Sequence, residues 1–241
     1  MDAGRGVMRS ASPNAWTPDT RFGAWFQRTD IWRRYVVEAA IAELARLLAP
    51  YASPHASLLD AGCGAGAGFE AIGRRIAPDR ILAVDVDRAQ LAHARDEIAR
   101  ARRPIALVHC DLRRLPLGTA SIDVVLCHQT LHHASDQVAV LRELRRVLRP
   151  GGILLLAESC RRFIHSIPVR LLFRHPQNAQ RSPEDYLALL RQTGFAFARR
   201  DVSTPSPFWS RPDFGLREKL GLGPDPVREA TELHVVAHRA D

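Results

Sequence analysis

Short apolar runs alternate with amphipathic stretches along most of this chain. Apolar runs typical of strands end near Asp60 and then occupy residues 80–87, 104–109, 120–128 and 153–158. Stretches with helical character, about 10 to 15 residues long, separate them. Because strands that alternate with helices form βαβ units, the pattern predicts an α/β fold built on a doubly wound parallel sheet.

Helices are predicted where apolar side chains recur at helical spacing or where capping residues occur. Val36–Leu48 is amphipathic, and Phe69–Ile76 follows a glycine-rich stretch. Ser182 is a predicted N-cap, since a proline and two acids follow it, and this helix is expected to run to Gly194. Two further strands are predicted near the C-terminus, at Phe195–Arg199 and Leu233–His238.

Residues 58–68, LLDAGCGAGAG, are the most distinctive stretch of the chain. Glycines allow a sharp strand-to-helix turn, positive φ and close approach of the backbone to a ligand. The spacing Gly62-x-Gly64-x-x-Ala67 also satisfies the dinucleotide fingerprint, so the glycines alone leave two nucleotide cofactors open. Asp60 disfavours a dinucleotide, because a carboxylate repels a pyrophosphate. It favours a nucleotide cofactor that carries a cationic amino group or a sulfonium.

Asp85 ends the second predicted strand. A carboxylate at this position can accept hydrogen bonds from both ribose hydroxyls, as in several nucleotide-binding α/β folds. Asp85 therefore supports an adenosine-containing ligand without deciding between the two cofactors.

The string Asp60-x-Gly62-x-Gly64-x-Gly66 resembles the D/E-x-G-x-G-x-G motif of class I S-adenosylmethionine-dependent methyltransferases. Residues 115–128 are similar to the LPF…FDVV segment of that family, and residues 131–152 to its LHH…LRELxRVLKPGG segment. The chain is most similar to the bacterial small-molecule branch, the methyltransferase type 11 and quinone-biosynthesis group. The resemblance implies a Rossmann-like sheet of seven strands, mostly parallel, with an antiparallel C-terminal edge hairpin.

The resemblance also implies S-adenosyl-L-methionine as cofactor, S-adenosyl-L-homocysteine as product, and transfer of the methyl group by in-line SN2 displacement. Asp111 occupies the position of the family's adenine-recognition acid. The residues expected to bind the cofactor are Asp60, Gly62, Cys63, Gly64, Gly66, Asp85, Val86, Asp111, Leu112 and His128.

Histidines are the candidate general bases, since histidine titrates near neutral pH. His128 directly follows the fourth predicted strand, where the methionine end of the cofactor is expected, and His132 belongs to a histidine pair common in the family. We predict these two as catalytic candidates. No metal site is expected, because adjacent histidines without matched carboxylate or cysteine spacing do not resemble a zinc site.

The predicted organisation is an N-terminal lid or helical segment at residues 1–50 and a methyltransferase domain at 51–241, with an insertion at about 159–181. The insertion interleaves apolar side chains with arginines and interrupts the strand–helix alternation. An apolar cover over the cofactor predicts a small, apolar or aromatic acceptor that takes the methyl group on oxygen, nitrogen or carbon.

Composition narrows the range of partners. The formal net charge is +8, yet Lys219 is the only lysine and the arginines are dispersed, so no nucleic-acid partner is expected. No segment reaches about 18 consecutive apolar residues, and no secretory signal is recognised. The four cysteines lack C-x-x-C spacing and predict reduced thiols in the cytoplasm. The oligomeric state stays open.

Two alternatives accompany the methyltransferase prediction. A nicotinamide-dependent oxidoreductase would share the glycine loop and Asp85, but with a single lysine the chain is poorly supplied for Tyr-x-x-x-Lys chemistry. A binding module that retains the cofactor fold without turnover is the second. Intact Asp60, Gly62 and Asp111 argue against a decayed cofactor pocket, although not against a lost acceptor site.

Overall fold

The computed structural model describes residues 16–51, 56–213, 216–222 and 229–240. Its strands are β1 (Ser57–Ala61), β2 (Arg80–Asp85), β3 (Ile105–His109), β4 (Ile122–His128), β5 (Leu148–Ser159), β6 (Phe195–Ala196), β7 (Val202–Ser203) and β8 (Glu232–Arg239). Its helices are α1 (Arg21–Phe26), α2 (Glu38–Leu48), α3 (Phe69–Arg75), α4 (Arg88–Glu97), α5 (Gln137–Val147), α6 (Arg161–Ile164), α7 (Ile167–Leu172), α8 (Pro183–Gln192) and α9 (Leu216–Lys219).

All eight strands belong to one sheet with the order β3-β2-β1-β4-β5-β8-β6, and β7 also pairs with β8. Strands β1 to β5 are mutually parallel, whereas β8 is antiparallel to its neighbours. The strand order reverses between β1 and β4, which brings the loops after these two strands together at the carboxyl edge. Ligands of doubly wound sheets bind at this switch point. The predicted fold class is confirmed.

Two apolar layers cover the two faces of the sheet. On one face α2 and α3 bury residues such as Leu44 and Phe69, both fully inaccessible to solvent. On the other face α5 and α8 bury Leu141 and Tyr186. Helices on both faces explain why β1 is buried along its whole length and lacks alternating polar positions.

The helix start that was predicted from capping residues is confirmed. Ser182 caps α8, since its Oγ accepts the Asp185 N–H at 3.1 Å while the Asp185 carboxylate accepts the Ser182 N–H at 3.2 Å. A π-helical segment, Trp32–Val37, precedes α2 and includes the first two residues of the predicted helix, Val36 and Val37. Within the described part of the chain, no helix has both the length and the apolar character needed to cross a bilayer.

Three predicted boundaries were wrong for local reasons. Strand β2 ends at Asp85 because Asp87 caps α4, accepting the Ala89 N–H at 2.8 Å. Strand β5 begins at Leu148, before the predicted start at Ile153, because Leu148 already pairs with Ile122 of β4. The predicted strand at 195–199 is interrupted by a 3₁₀ turn in which the Asp201 carboxylate accepts the Ala198 N–H at 2.7 Å. The resulting pieces, β6 and β7, make the strand count eight.

Candidate functional site

The glycine loop after β1 is held against the loop after β4. Gly62 has a φ of +87°, and its N–H donates to the Val84 carbonyl at 2.9 Å. A Cβ on Gly62 would lie 2.3 Å from the Thr130 side chain, so only glycine fits. The Thr130 hydroxyl contacts the Gly62 carbonyl at 3.3 Å and the His128 carbonyl at 2.9 Å. Thr130 therefore joins the two loops, a role that the sequence did not reveal.

Asp85 is positioned by backbone donors on both oxygens of its carboxylate. The Gly64 N–H donates to Oδ2 and the Asp87 N–H to Oδ1, each at 2.8 Å. Burial raises the pKa of Asp85, and these backbone donors oppose that rise. Because a carboxylate offers about four lone-pair sites, acceptor capacity remains for the two hydroxyls of a ribose.

Asp60 is a buried carboxylate whose charge is not compensated. Its exposed fraction is 5%, and no described residue donates a hydrogen bond to it. Burial, followed by repulsion from Asp85, raises its pKa to about 7. A cationic ligand group beside Asp60 would relieve both effects, which fits the amino group of a methionine moiety.

The residues predicted to lie beside the adenosine part of the cofactor line a small cavity of about 50 Å³, whose lining includes Asp85, Val86, Asp111 and Leu112. Arg113 binds the Asp111 carboxylate through Nε and a terminal nitrogen, the latter at 2.6 Å. Burial tends to raise the pKa of Asp111, but the Arg113 side chain and N–H outweigh burial and hold it below its ordinary value. Asp111 thus lies where predicted and is already engaged by an arginine.

A second small cavity, of about 70 Å³, lies at the glycine loop, where the methionine end of the cofactor is predicted. Its lining includes Asp60, Cys63, Gly64 and His128, and Gly62 lines both small cavities. The Cys63 N–H donates to the Val84 carbonyl at 3.0 Å, and burial raises the pKa of its thiol well above the ordinary range. His128 is half-buried, and its buried Nε2 has no partner among the described residues.

Gly66 differs from the other predicted cofactor residues because it does not line any of the described cavities. Its φ is +79°, and a Cβ would lie 2.7 Å from the Phe69 ring. Packing against α3 accounts for the glycine here, and its contact with the cofactor stays a prediction.

The two predicted catalytic histidines occupy different environments. Burial, together with nearby His234 and His132, lowers the pKa of His128 to about 3, so its ring is neutral but weakly basic. The His132 ring contacts the buried Glu158 carboxylate through Nδ1 at 2.6 Å. The same carboxylate accepts the Leu131 N–H at 2.7 Å, which ties the 3₁₀ turn 131–133 to the end of β5. Catalysis by either ring stays a prediction.

A third, larger cavity of about 480 Å³ lies beside the glycine loop. The N-terminal segment, the segment after β5 and residues 208–209 all line it, and most of the lining residues are apolar, many of them aromatic. The aromatic lining includes Phe22, Phe26, Trp32, Phe163, Phe173 and Trp209. Polar groups are few and include His132, His133, His175, Gln129 and Ser159.

Behind this cavity lies a buried carboxyl that the sequence did not indicate. Glu232, on β8, accepts hydrogen bonds from the Gln129 amide at 2.9 Å and the Ser159 hydroxyl at 2.8 Å. Burial raises the pKa of Glu232 to about 8, with these two donors acting in the opposite direction. Glu232 fixes two polar side chains that face the cavity. Only the fold, which places β8 beside β5, brings it there.

The donor set therefore fits S-adenosylmethionine. An uncompensated carboxylate at Asp60 suits a cationic group, and the free lone pairs of Asp85 suit a diol. Asp111 borders the side of the site where the family resemblance predicts the adenine. Gly62 lines both small cavities, so the three acids border neighbouring spaces on the two sides of one glycine.

Comparison with known proteins supports this interpretation. Residues 59–156 match the family model of the methyltransferase domain. A probable S-adenosylmethionine-dependent methyltransferase of Mycolicibacterium smegmatis is 41% identical over 101 residues, which are 42% of this chain and 37% of that relative. The chain thus spans well under two thirds of the length of the curated relatives that it matches.

Solved structures share the fold at lower identity. The crystal structure of the [4+2]-cyclase SpnF gives a TM-score of 0.60 at 23% identity, covering 86% of this chain and 85% of that one. A 1,6-didemethyltoxoflavin-N1-methyltransferase of Burkholderia thailandensis, with bound 1,6-didemethyltoxoflavin and S-adenosylhomocysteine, gives 0.57 at 20% identity, covering 91% and 85%. The predicted resemblance to class I S-adenosylmethionine-dependent methyltransferases, and with it S-adenosylmethionine as the cofactor, is confirmed, and these matches favour a methyltransferase over a nicotinamide-dependent oxidoreductase.

Proposed function

We propose that this protein transfers a methyl group from S-adenosylmethionine to a small apolar or aromatic metabolite held in the 480 Å³ cavity. One observation carries the proposal. Gln27, Trp32 and Gln129 line both this cavity and the small cavity at Asp60. A ligand at the glycine loop and a second ligand among the aromatic rings would therefore be neighbours, as a direct transfer requires.

In this proposal each of three acidic residues contacts a different part of the cofactor. Asp85 accepts the ribose hydroxyls, Asp60 pairs with the amino group of the methionine moiety, and Asp111 borders the adenine. When bound, the cofactor supplies an activated methyl group on a sulfonium. The chain's part is to hold the acceptor in line with that group and to exclude water, so positioning carries most of the rate.

The acceptor class is inferred from the wall of the large cavity. Phe173 lies edge-on to Phe22 at 5.7 Å and to Phe26 at 6.0 Å, so α1 and the segment after α7 close one side together. The Thr20 hydroxyl donates to the Leu172 carbonyl and strengthens this closure. A volume of about 480 Å³ lies within the range of small-molecule sites, roughly 300–1,000 Å³. The N1-methyltransferase with the shared fold is solved with bound 1,6-didemethyltoxoflavin, which is consistent with a small-molecule acceptor.

Residues 1–50 and about 159–181 are proposed to form a lid over the large cavity. The described parts of both segments contribute to the cavity wall. Residues 1–15 lie outside the described residues. His128 and His132 remain candidate bases, and with a pKa of about 3 His128 suits acceptors that need little help in losing a proton.

The test uses methyl-labelled S-adenosylmethionine and fractionated bacterial extract. We expect label in small-molecule fractions, and loss of most of that signal in Phe173→Ala while S-adenosylhomocysteine binding persists. Leu171→Ala is the matched control, because Leu171 is adjacent in sequence to the cavity-lining Leu172 yet 78% exposed and absent from the lining. Label in protein or RNA would overturn the substrate class.

A further inference from the structure

Three histidine rings meet in the wall of the large cavity. His132 and His133 come from the 3₁₀ turn after β4, and His175 comes from the segment after α7. One ring nitrogen from each lies within 4.8 Å of the other two. The ring centroids are 4.4 to 5.1 Å apart. The sequence could not reveal this cluster, because His175 is distant along the chain from the other two.

Hydrogen bonds orient two of these rings. The Nδ1 of His132 contacts the Glu158 carboxylate at 2.6 Å, and the Nδ1 of His133 contacts the Thr17 carbonyl at 3.3 Å. Each acceptor holds a proton on Nδ1, which leaves a lone pair on Nε2. Metal-binding histidines show this arrangement, with one nitrogen on a carboxylate or carbonyl and the other free for the metal.

Glu158 is itself fixed as an acceptor. It is fully buried, and its Oε1 accepts the N–H groups of Thr130 at 3.0 Å and Leu131 at 2.7 Å. Its Oε2 is directed to His132. A carboxylate held this firmly defines the tautomer and direction of the His132 ring, beyond what packing alone would require.

We propose that His132, His133 and His175 bind one divalent transition-metal ion of the Zn²⁺ class. Three neutral imidazoles form a known zinc ligand set that leaves a fourth position for water or substrate. That position would open into the large cavity. Zinc–nitrogen distances of about 2.0–2.1 Å require a closer approach than 4.8 Å. His175, whose ring makes no hydrogen bond to a described residue, would supply most of this movement.

The proposal that the cluster binds a metal ion does not depend on methyl transfer. The role of the metal in the reaction does rest on the proposed function. A Lewis acid in the cavity wall lowers the pKa of an oxygen ligand. The acceptor would then carry a hydroxyl or similar oxygen that binds the metal. The spacing of histidines along the chain predicts no metal site, because only the fold brings His175 beside His132 and His133.

The test titrates tag-free, chelator-treated protein with Zn²⁺ by calorimetry and with Co²⁺ by visible absorption. We expect one ion per chain, a tetrahedral Co²⁺ spectrum, and at least about tenfold weaker binding in His175→Ala. His165→Ala is the control, since His165 is exposed on the same segment and outside the cluster. Circular dichroism checks that each variant is folded.

Absence of stoichiometric Zn²⁺ binding by the wild-type protein would overturn the proposal without any variant. Equal weakening by His165→Ala and His175→Ala would also overturn it, because the ion would then bind elsewhere. S-adenosylhomocysteine binding, measured separately on the metal-free protein, distinguishes failure of this proposal from failure of the proposed function.

Discussion

Replacement of Asp60 by asparagine should stabilise the ligand-free protein at neutral and alkaline pH. The carboxylate is 5% exposed and lacks a described hydrogen-bond donor, and its pKa rises from 3.8 to about 7. Because each tenfold change in proton affinity is worth about 1.4 kcal/mol, keeping Asp60 ionised in the folded state costs roughly 4 kcal/mol. Asparagine has the same shape and removes the charge, so it should recover most of this free energy.

The sign of the effect depends on pH. Between pH 3.8 and about 7 the folded state holds a proton on Asp60 that the unfolded state has lost, so stability falls as pH rises and then levels off. The gain in Asp60→Asn should therefore be near zero below pH 4 and greatest above pH 7. Urea unfolding of both proteins across this range, without ligand, measures the difference.

A pH-independent difference between the two proteins would refute this reasoning, because it would mean that Asp60 is not ionised at a cost. Asp79→Asn is the control, since Asp79 is an exposed carboxylate just before β2. The stabilised Asp60→Asn protein should at the same time bind S-adenosylmethionine more weakly, as expected where a binding site retains a costly charge.

Two further predictions concern the same edge of the sheet. Asp85→Ala should weaken S-adenosylhomocysteine binding by about 1–3 kcal/mol through loss of charge-assisted hydrogen bonds, which calorimetry measures, and an unchanged affinity would contradict the ribose role. Gly62→Ala should destabilise the fold by about 1–3 kcal/mol, because φ is +87° and a Cβ would meet Thr130 at 2.3 Å. Thermal unfolding tests this, and Gly118→Ala, where a Cβ meets nothing within 4 Å, is the control.

The sequence predicted the features that depend on neighbouring residues. Asp60 and Asp85 follow apolar strands, so their places at the carboxyl edge follow from local pattern. Ser182 and its capping partners lie within three residues of each other and were predicted for the same reason. Strand ends were less accurate, as at Asp87, because a capping side chain and a strand compete for the same residues.

The sequence did not predict features that join distant segments. Glu232 meets Gln129 across 103 positions, and His175 meets His132 only after the segment following β5 has folded back. The ion pair of Asp111 with Arg113 is local but has no distinctive pattern among so many arginines. A contact between two polar side chains that are distant along the chain produces no periodic pattern of residues, so a single sequence does not predict it.

Equilibrium binding of S-adenosylhomocysteine to the wild-type protein, with NAD as competitor, tests the central claim most directly. We expect one site per chain with affinity in the low-micromolar range or tighter, displacement by S-adenosylmethionine and none by NAD. No detectable binding of S-adenosylhomocysteine, or displacement by NAD, would contradict the assignment of Asp60, Asp85 and the glycine loop to this cofactor.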